Sequence, residues 1–548
     1  MNRISIFLRT KVVRIKNKIY IYSRKYCNDS RVIELHSEIV KISKKILSNT
    51  DIRFSDKVSK IAYIKLYAYH TNFDKSSRQV LCLSCFFTKV THIAFSFVVR
   101  VVSVMVGNSV RNLKGSFLSK KLEDDIDFSY ENIGRMKEIP FTGVDVVFVA
   151  SMSSYLGFVL DLAPKLGVSY LIFTTNKAIQ GIDSGLINEN VYSIEEYLSS
   201  DLRKEFFSIQ KLSCDYFRNN TNSINKLFKQ FGINFYPMYS KSLINVWRFL
   251  IPQSYIYYKF MNNLVKEVRP KHVIGVRVRR IFERACYLAA RDNGITTNVI
   301  LHSAIGMTID DYYLTGNFDI VDNAFVWGEA NKSMIDSDNL SKGCKVHVVG
   351  SINFTKENHD FSIDSNSNSN SNKFKILFAA TRVDFKEIRS LIKVITGIDN
   401  VELVIKLHPN YHGSEYDQFS DINFVRVESE KIPIEKMMSG IDLFVTTMSG
   451  SHMHAAICKI PIMLIAYDSI VREDLKEIYG LHYKAPSKKG FLMSKESELL
   501  SFMQSLIGGG SLATERAMID QNMYISNAVR VRTNAYDVTN NIKEILEL

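Results

Sequence analysis

This 548-residue chain carries few signals that name a chemistry outright, and what it lacks narrows the field first. There is no G-x-x-x-x-G-K-[ST] phosphate loop, no G-x-G-x-x-G turn and no G-x-S-x-G elbow, which removes the commonest NTPase, dinucleotide and hydrolase signatures. No apolar run is long enough to span a bilayer: Ile93–Val106 falls short of the roughly 20 residues required and contains Arg100. Cysteines are sparse and odd in number, seven in all (Cys27, Cys82, Cys85, Cys214, Cys286, Cys344 and Cys458). Only Cys82 and Cys85 form a C-x-x-C, and no second pair completes a zinc site. Mostly buried reduced thiols are therefore expected, and disulfides are not. Acidic residues are outnumbered, 56 against 70 Lys and Arg, giving a formal net charge of +14 and a pI near 9.2. Such an excess implies an anionic partner: nucleic acid, anionic lipid, or a phosphorylated or acidic sugar. No nucleic-acid reader motif accompanies the basic patches, so nucleic acid is not the expected partner.

A composition 46% hydrophobic and 23% charged is that of a globular protein. The length favours two or three domains of roughly 100–200 residues. Residues 1–140 read as a basic, mainly helical N-terminal region. Arg3, Arg9, Lys11, Arg14, Lys16, Lys18, Arg24 and Lys25 precede the first acidic residue, Asp29, with apolar residues interleaved. This segment either faces an anionic lipid surface or packs on the body as an ordinary basic amphipathic element. No A-x-A-like cleavage site follows it, so a signal peptide is not expected. The expected location is cytoplasmic, peripheral at the inner face of the cell membrane.

From Asp145 onward the chain alternates short apolar runs with helical stretches. Val146–Val149, Tyr170–Phe173, Val191–Ile194, Val273–Val276, Asn298–Leu301 and Ala324–Trp327 read as strands, the last closing the series. Tyr155–Leu166 and Ile281–Asn293 read as helices, and 197–268 as mostly helical. A Ser/Asn tract at 365–372 reads as a linker or loop. A second alternation follows, with strands Lys375–Ala379, Val401–Ile405, Asn423–Val427, Leu443–Val445 and Ile462–Ile465. The tail from Arg516 reads as helical and is expected to pack back across both domains. The predicted fold class is α/β, with two doubly wound, parallel-sheet, Rossmann-like domains. The expected boundaries are 141–350 for the N-terminal Rossmann-like domain, 351–372 for the linker, 373–530 for the C-terminal one and 531–548 for a last helix.

In open α/β sheets, ligands bind at the carboxyl ends of the strands. Two loops at such ends stand out. In Lys406-Leu407-His408-Pro409-Asn410, Pro409 holds His408 out of helix. The imidazole can then donate to a phosphate or sugar hydroxyl, and Lys406 adds a cation. Thr447-Met448-Ser449-Gly450-Ser451 supplies hydroxyls, a glycine that lets backbone approach a ligand, and the start of a helix expected over Ser451–Lys459. A plain serine N-cap fits that loop equally well. Thr381 and Arg382 follow the first strand of the same domain, where Arg382 either reaches a diphosphate or is an exposed arginine at a helix start. Together these loops suggest a nucleotide or nucleotide-sugar site. In the preceding domain, Glu283 and His302 are the candidate general bases, expected to face the same cleft as His408. A solvated helix charge and a structural loop histidine are their plainer alternatives. Ser151-Met152-Ser153-Ser154 is a further candidate contact. No carboxylate cluster stands at a strand end, and Asp125-Ile126-Asp127 lies outside the strand–helix units. His408 with His412, or His452 with His454, lacks a third ligand. No metal or other cofactor is expected.

The order of several motifs resembles one family. His302-Ser303-Ala304-Ile305-Gly306, Val326-Trp327-Gly328-Glu329, Val349-Gly350-Ser351, Lys406-Leu407-His408-Pro409, then Ser449-Gly450-Ser451 with Ala455 and Pro461 is similar to bacterial surface-polysaccharide glycosyltransferases of the GT-B fold. That group includes capsule and lipopolysaccharide transferases, teichoic-acid-type polymerases and some sialyltransferases with a His-Pro motif. The likeness covers about residues 145–530. It implies a metal-independent, nucleotide-sugar-dependent glycosyltransferase acting on a polysaccharide or lipid-linked sugar acceptor. It also implies that Lys406, His408 and the Ser449-Gly450-Ser451 loop contact the donor's nucleotide and phosphates, and that Glu283 or His302 lies on the acceptor side. Thr381, Arg382, Pro409, Thr447 and His454 are the further donor-site candidates, and His408 is a catalytic candidate beside Glu283 and His302. His454 stands where related enzymes often carry a ribose-binding glutamate. The acidic-acidic-Gly motif of several sialyltransferases is not evident. A nucleotide-sugar epimerase of the same architecture and a non-catalytic polysaccharide- or lipid-binding scaffold are the alternatives.

Overall fold

The computed structural model describes residues 143–198, 200–219, 221–222, 229–230, 233–234, 244, 246–278, 280–302, 318–336, 343–357, 373–380, 385–407, 416–428, 432–447, 451–465, 492–493, 496–507, 518, 521–522, 525–526 and 529–548. The basic region 1–140, the Asp125–Asp127 motif and the Ser/Asn tract lie outside the described residues.

Among the described residues fifteen strands are numbered in chain order. β1 (Val146–Ala150), β2 (Tyr170–Thr174) and β3 (Val191–Ser193) open the chain, and β4 (Lys229–Gln230) and β5 (Ile233–Asn234) form a small antiparallel pair. β6 (His272–Gly275), β7 (Thr296–Ile300), β8 (Asn323–Val326) and β9 (Lys345–Val348) follow. β10 (Phe374–Ala379), β11 (Val401–Lys406), β12 (Val425–Glu428), β13 (Leu443–Thr446), β14 (Ile462–Ile465) and β15 (Leu492–Met493) complete the set. One sheet runs β3-β2-β1-β6-β7-β8-β9 and the other β12-β11-β10-β13-β14-β15. The chain divides into two compact units, with the main cut after Val299: β1 to β6 and nearly all of β7 belong to the first, β8 to β15 to the second.

β1, β6, β13 and β14 are buried along their whole length. That is the signature of a parallel sheet covered on both faces, and it explains why these segments read as unbroken apolar runs. The helix Phe385–Ile395 buries Ile388, Leu391, Val394 and Ile395, one stripe at helical spacing. These join Ile376, Phe378, Leu403, Ile405, Val445 and Met463 in the core of the second sheet.

Three expectations are corrected here. The first strand series does not close at Trp327, because β9 pairs in parallel with β8. β15 adds a strand beyond Ile465. The 197–268 segment, by contrast, is mostly helical among its described residues as expected, with the helices Ser200–Asn219 and Ile251–Val268 and only the β4–β5 pair breaking the pattern between them. The thiols also differ from expectation: Cys286 is buried, but Cys214, Cys344 and Cys458 are only half-buried.

The chain after Val529 leaves helix before the final helix Ala535–Leu546. The Arg530 amide donates to the Trp327 carbonyl at 2.7 Å, its Nη1 to the Val348 carbonyl at 3.0 Å, and its Nη2 meets Glu329 at 3.2 Å. Arg532 Nε donates to the Val349 carbonyl at 3.2 Å, and the Lys356 amide donates to the Arg532 carbonyl at 2.8 Å. Gly350 sits beneath this strap at φ +97°, and a Cβ there would collide with the Arg530 carbonyl. Among the described residues no helix is long and apolar enough to cross a membrane.

Candidate functional site

In the first unit, β1 has β2 on one side and β6 on the other. Connections leave in opposite directions at such a switch point, and a crevice opens between the two strand ends. Val149 pairs with Gly275, so Ser151 and Arg277 leave the sheet at the same level. Glu283 lies in the first turn of the helix Ile281–Asp292 and is wholly buried. Ser151 holds it from across the crevice: its amide donates to Oε1 at 2.8 Å, and its hydroxyl lies 2.8 Å from Oε1 and 3.0 Å from Oε2. Burial pushes the Glu283 carboxyl above its ordinary range, while the Ser151 hydrogen bonds and the Arg280 guanidinium pull it down. The balance is a carboxyl that takes up a proton more readily than a solvated one.

In the second unit the switch point lies between β10 and β13. Ala379 pairs with both Lys406 and Thr446, so the loops beginning at Ala380, Leu407 and Thr447 leave one edge side by side. The Thr446 hydroxyl donates to the Ala379 carbonyl at 2.8 Å, tying two of those strand ends together. Lys406 is buried, and its ammonium donates to the Leu407 carbonyl at 2.7 Å, gripping the backbone just before His408. Thr447 is buried at the root of its loop.

The helix expected from Ser451 is shorter than its sequence suggests, His452–Ile457, and Ser451 makes no side-chain cap hydrogen bond. The capping alternative for Ser451 is corrected accordingly. His454 is buried; its Nε2 lies 3.3 Å from Glu435 Oε1, and its ring centroid is 4.5 Å from that of Phe354.

The sequence-predicted residues thus fall at two strand edges. Glu283 stands at the first; Lys406, Thr447, Ser451 and His454 gather at the second. His302 follows β7 and is half-buried, next to Leu301, whose carbonyl accepts the Trp327 indole N–H at 2.7 Å. Thr381, Arg382, His408, Pro409, Ser449 and Gly450 lie outside the described residues. Sequence reasoning missed Glu435, which has no motif around it, and Glu195. The latter is buried at the end of β3, with Oε2 accepting from the Ser193 hydroxyl at 2.6 Å and the Asn176 amide at 3.1 Å. Burial pushes its carboxyl up, as at Glu283. A Ser-x-Glu after a short β-branched run was the one available signal. Among the described residues, no group of three His, Cys, Asp or Glu is placed to hold a metal ion.

No protein-family model matches the chain, and no curated protein does. Among solved structures, a UDP-GlcNAc 2-epimerase from Neisseria meningitidis bound to UDP-GlcNAc aligns at 14% identity over 74% of this chain and 99% of that one, with a TM-score of 0.43. The wall teichoic acid polymerase TagF aligns at 13% identity over 80% and 95%, with a TM-score of 0.40. The apo lipopolysaccharide outer core galactosyltransferase WaaB aligns at 12% identity over 74% and 100%, with a TM-score of 0.41. At such identities and scores no residue here is matched to a role in those proteins. The chain itself is an α/β protein with two parallel sheets and helices between their strands.

Proposed function

We propose that the protein is a GT-B-type glycosyltransferase that moves a sugar from a nucleotide-sugar donor to a bacterial surface polysaccharide, capsule or lipopolysaccharide O-antigen, or to a lipid-linked sugar. One observation carries this reading: two doubly wound sheets each place polar residues at a switch point. Ligands bind at such crevices in open α/β sheets, so two of them offer one place for a donor and one for an acceptor.

In this reading the edge of β10, β11 and β13 takes the donor. His408 donates to its phosphates as charge develops on the leaving nucleotide, and Lys406 fixes the loop that carries His408. Thr381, Arg382 and the 447–451 hydroxyls and amides complete the anion site, with His454 at its rim, and no metal is required. Glu283 works through Ser151: the serine passes its hydroxyl proton to the carboxylate as it takes one from the attacking acceptor hydroxyl. A carboxyl raised by burial is suited to receive that proton near neutral pH. His302 is the other candidate base. The basic, apolar-interleaved segment at 1–25 fits a peripheral position on an anionic inner membrane face.

The test is turnover of CMP-, UDP-, GDP- and CDP-sugars with and without polysaccharide acceptor. Acceptor-dependent release of nucleotide supports the transferase. Interconversion of the sugar with no acceptor replaces it with an epimerase, and tight nucleotide binding with neither reaction replaces it with a scaffold.

A further inference from the structure

Glu195 has no part in the roles given so far, yet it is a buried carboxyl at the carboxyl edge of the first sheet. Ser193, the last residue of β3, pairs with Thr174, the last of β2, so Glu195 lies beside the segment that leaves β2. One oxygen is pinned: Oε2 accepts from the Ser193 hydroxyl at 2.6 Å and from the Asn176 amide at 3.1 Å. The other, Oε1, is buried and has no hydrogen-bond partner among the described residues. Burial pushes this carboxyl up, and the Ser193 and Asn176 hydrogen bonds offset that only in part. A neutral carboxyl fits the pattern: its carbonyl oxygen takes both bonds, and no charge is left buried and half-paired.

The Asn176 amide held by Glu195 opens the helix Asn176–Gln180, and this helix packs on the loop that carries Ser151. Thr175, its N-cap, accepts from the Ala178 amide at 3.3 Å and donates its hydroxyl proton to the Ser151 carbonyl at 3.5 Å. The preceding Thr174 hydroxyl donates to the Ala150 carbonyl. At the far end of the helix, Gly181 sits so close that a Cβ there would come within 2.7 Å of the Ser153 Cβ. The backbone from Ala150 to Ser153 is thus held from the β2 side. The helix of Glu283 is held separately, to the end of β6. There the Tyr287 hydroxyl donates to the Arg277 carbonyl at 3.2 Å, beside Gly275, where a Cβ would collide with it. Ser151 spans the two anchors, with its amide and hydroxyl both on Glu283.

We infer that Glu195 is a positioning residue for the Ser151–Glu283 pair: by holding Asn176 it fixes Thr175, and through Thr175 the backbone from which the Ser151 hydroxyl reaches Glu283. Proton transfer at that pair rests on the glycosyltransferase reading; the hold on Ser151 does not. A hydroxyl that drifts from its carboxyl loses the alignment that proton transfer needs.

The full-length protein and its variants are melted in urea from below pH 4.5 to alkaline pH. Subtracting Glu283→Gln from wild type isolates the Glu283 carboxyl, and the same subtraction within Glu195→Ala cancels the titration of residue 195 itself. Arg280, Cys286 and Tyr287, which share the field of Glu283, stay in every variant. In the wild type the stability from this carboxyl is full below 4.5 and is lost as pH rises toward its raised native value. In Glu195→Ala the Ser151 hydrogen bonds that pull Glu283 down should slacken, so the loss should extend to higher pH. Thr175→Val cuts the next link and should move the window the same way, which carries the test if Glu195→Ala does not fold. Glu195→Gln keeps an acceptor for Ser193 and Asn176 and should restore the wild-type window. Identical windows with and without the Glu195 or Thr175 link overturn the inference, since a residue that only braces β3 lowers stability without moving the titration of Glu283. A Glu195→Gln that behaves like Glu195→Ala overturns it too. In turnover of CMP-, UDP-, GDP- or CDP-sugars with polysaccharide acceptor, Glu195→Ala should lower kcat by roughly tenfold or more with KM little changed, and a wild-type kcat would count against the inference. A shifted window in a protein without acceptor-dependent turnover would sink the transferase reading and leave the hold on Ser151 standing.

Discussion

At the end of β1 a serine meets a buried carboxyl from 132 residues away; at the end of β13 a threonine meets the backbone carbonyl of the next strand. The two edges share a plan, down to a strand-end threonine that ties neighbouring strands, Thr174 to Ala150 in one and Thr446 to Ala379 in the other. They differ in what the plan supports. The first holds ionisable groups, Glu283 fixed by Ser151 from 132 residues away and Arg284 donating to the nearby Val278 carbonyl. The second is dominated by hydroxyls, a buried lysine turned onto its own backbone, and a histidine backed by Glu435. Charge locked at a fixed distance suits moving a proton, whereas short polar groups and loop amides suit surrounding a phosphate.

The largest expected effect separates the edges by chemistry. Glu283→Gln keeps the shape and an acceptor for Ser151 but cannot take a proton, so kcat/KM should fall by roughly 10²–10⁴. Full activity in this variant would pass the base role to His302. The same variant reports on stability. Because the native carboxyl binds its proton more tightly than the unfolded one, the native state gains protons relative to the unfolded state above the ordinary value of 4.5. Its contribution to stability is therefore full below that value and is lost as pH rises toward the raised native value. Denaturant melts across this window should show a flatter pH profile for Glu283→Gln; an unchanged slope would mean the carboxyl is not perturbed.

Next in size is His408→Ala, expected to lower kcat/KM by roughly 10²–10³ with little change in Tm. A full-activity His408→Ala enzyme would leave the second edge without its donor contact. Gly275→Ala tests how far the first edge depends on its backing. Forcing Tyr287 aside in a packed core should cost about 1–3 kcal/mol in urea melts, and a neutral result would mean that the tyrosine yields freely. The smallest effect is Ser451→Ala. Nucleotide affinity, read by thermal shift with added nucleotides, should drop by several-fold, and an unchanged shift would take Ser451 out of the donor site.

The strands legible in the sequence were those buried on both faces. Val146–Ala150, Leu443–Thr446 and Ile462–Ile465 are continuous apolar runs whose period is irrelevant because both sides are covered. β9 was missed because Lys345–Val348 is an edge strand with exposed and half-buried positions and two basic residues. β15 is only two residues long, too short for any periodicity. Site residues such as Lys406 at a strand end and Glu283 in a first helical turn were legible as types in places. Their partners were not. Ser151 and Glu283 become neighbours only once β1 and β6 are known to lie side by side, and Glu435 reaches His454 from a segment with no pattern of its own.

The strap formed by Arg530 and Arg532 also bears on when the protein can become whole. It closes carbonyls at Trp327, Val348 and Val349 with donors that are made about 180 to 200 residues later, and it does so against a glycine that no other residue could replace without a clash. During synthesis, at the ~5–20 residues per second of a translating ribosome, those carbonyls wait some ten seconds or more for their partners. The strap is thus a late checkpoint in assembly. A chain broken between residues 351 and 529 would leave the Trp327, Val348 and Val349 carbonyls without these donors.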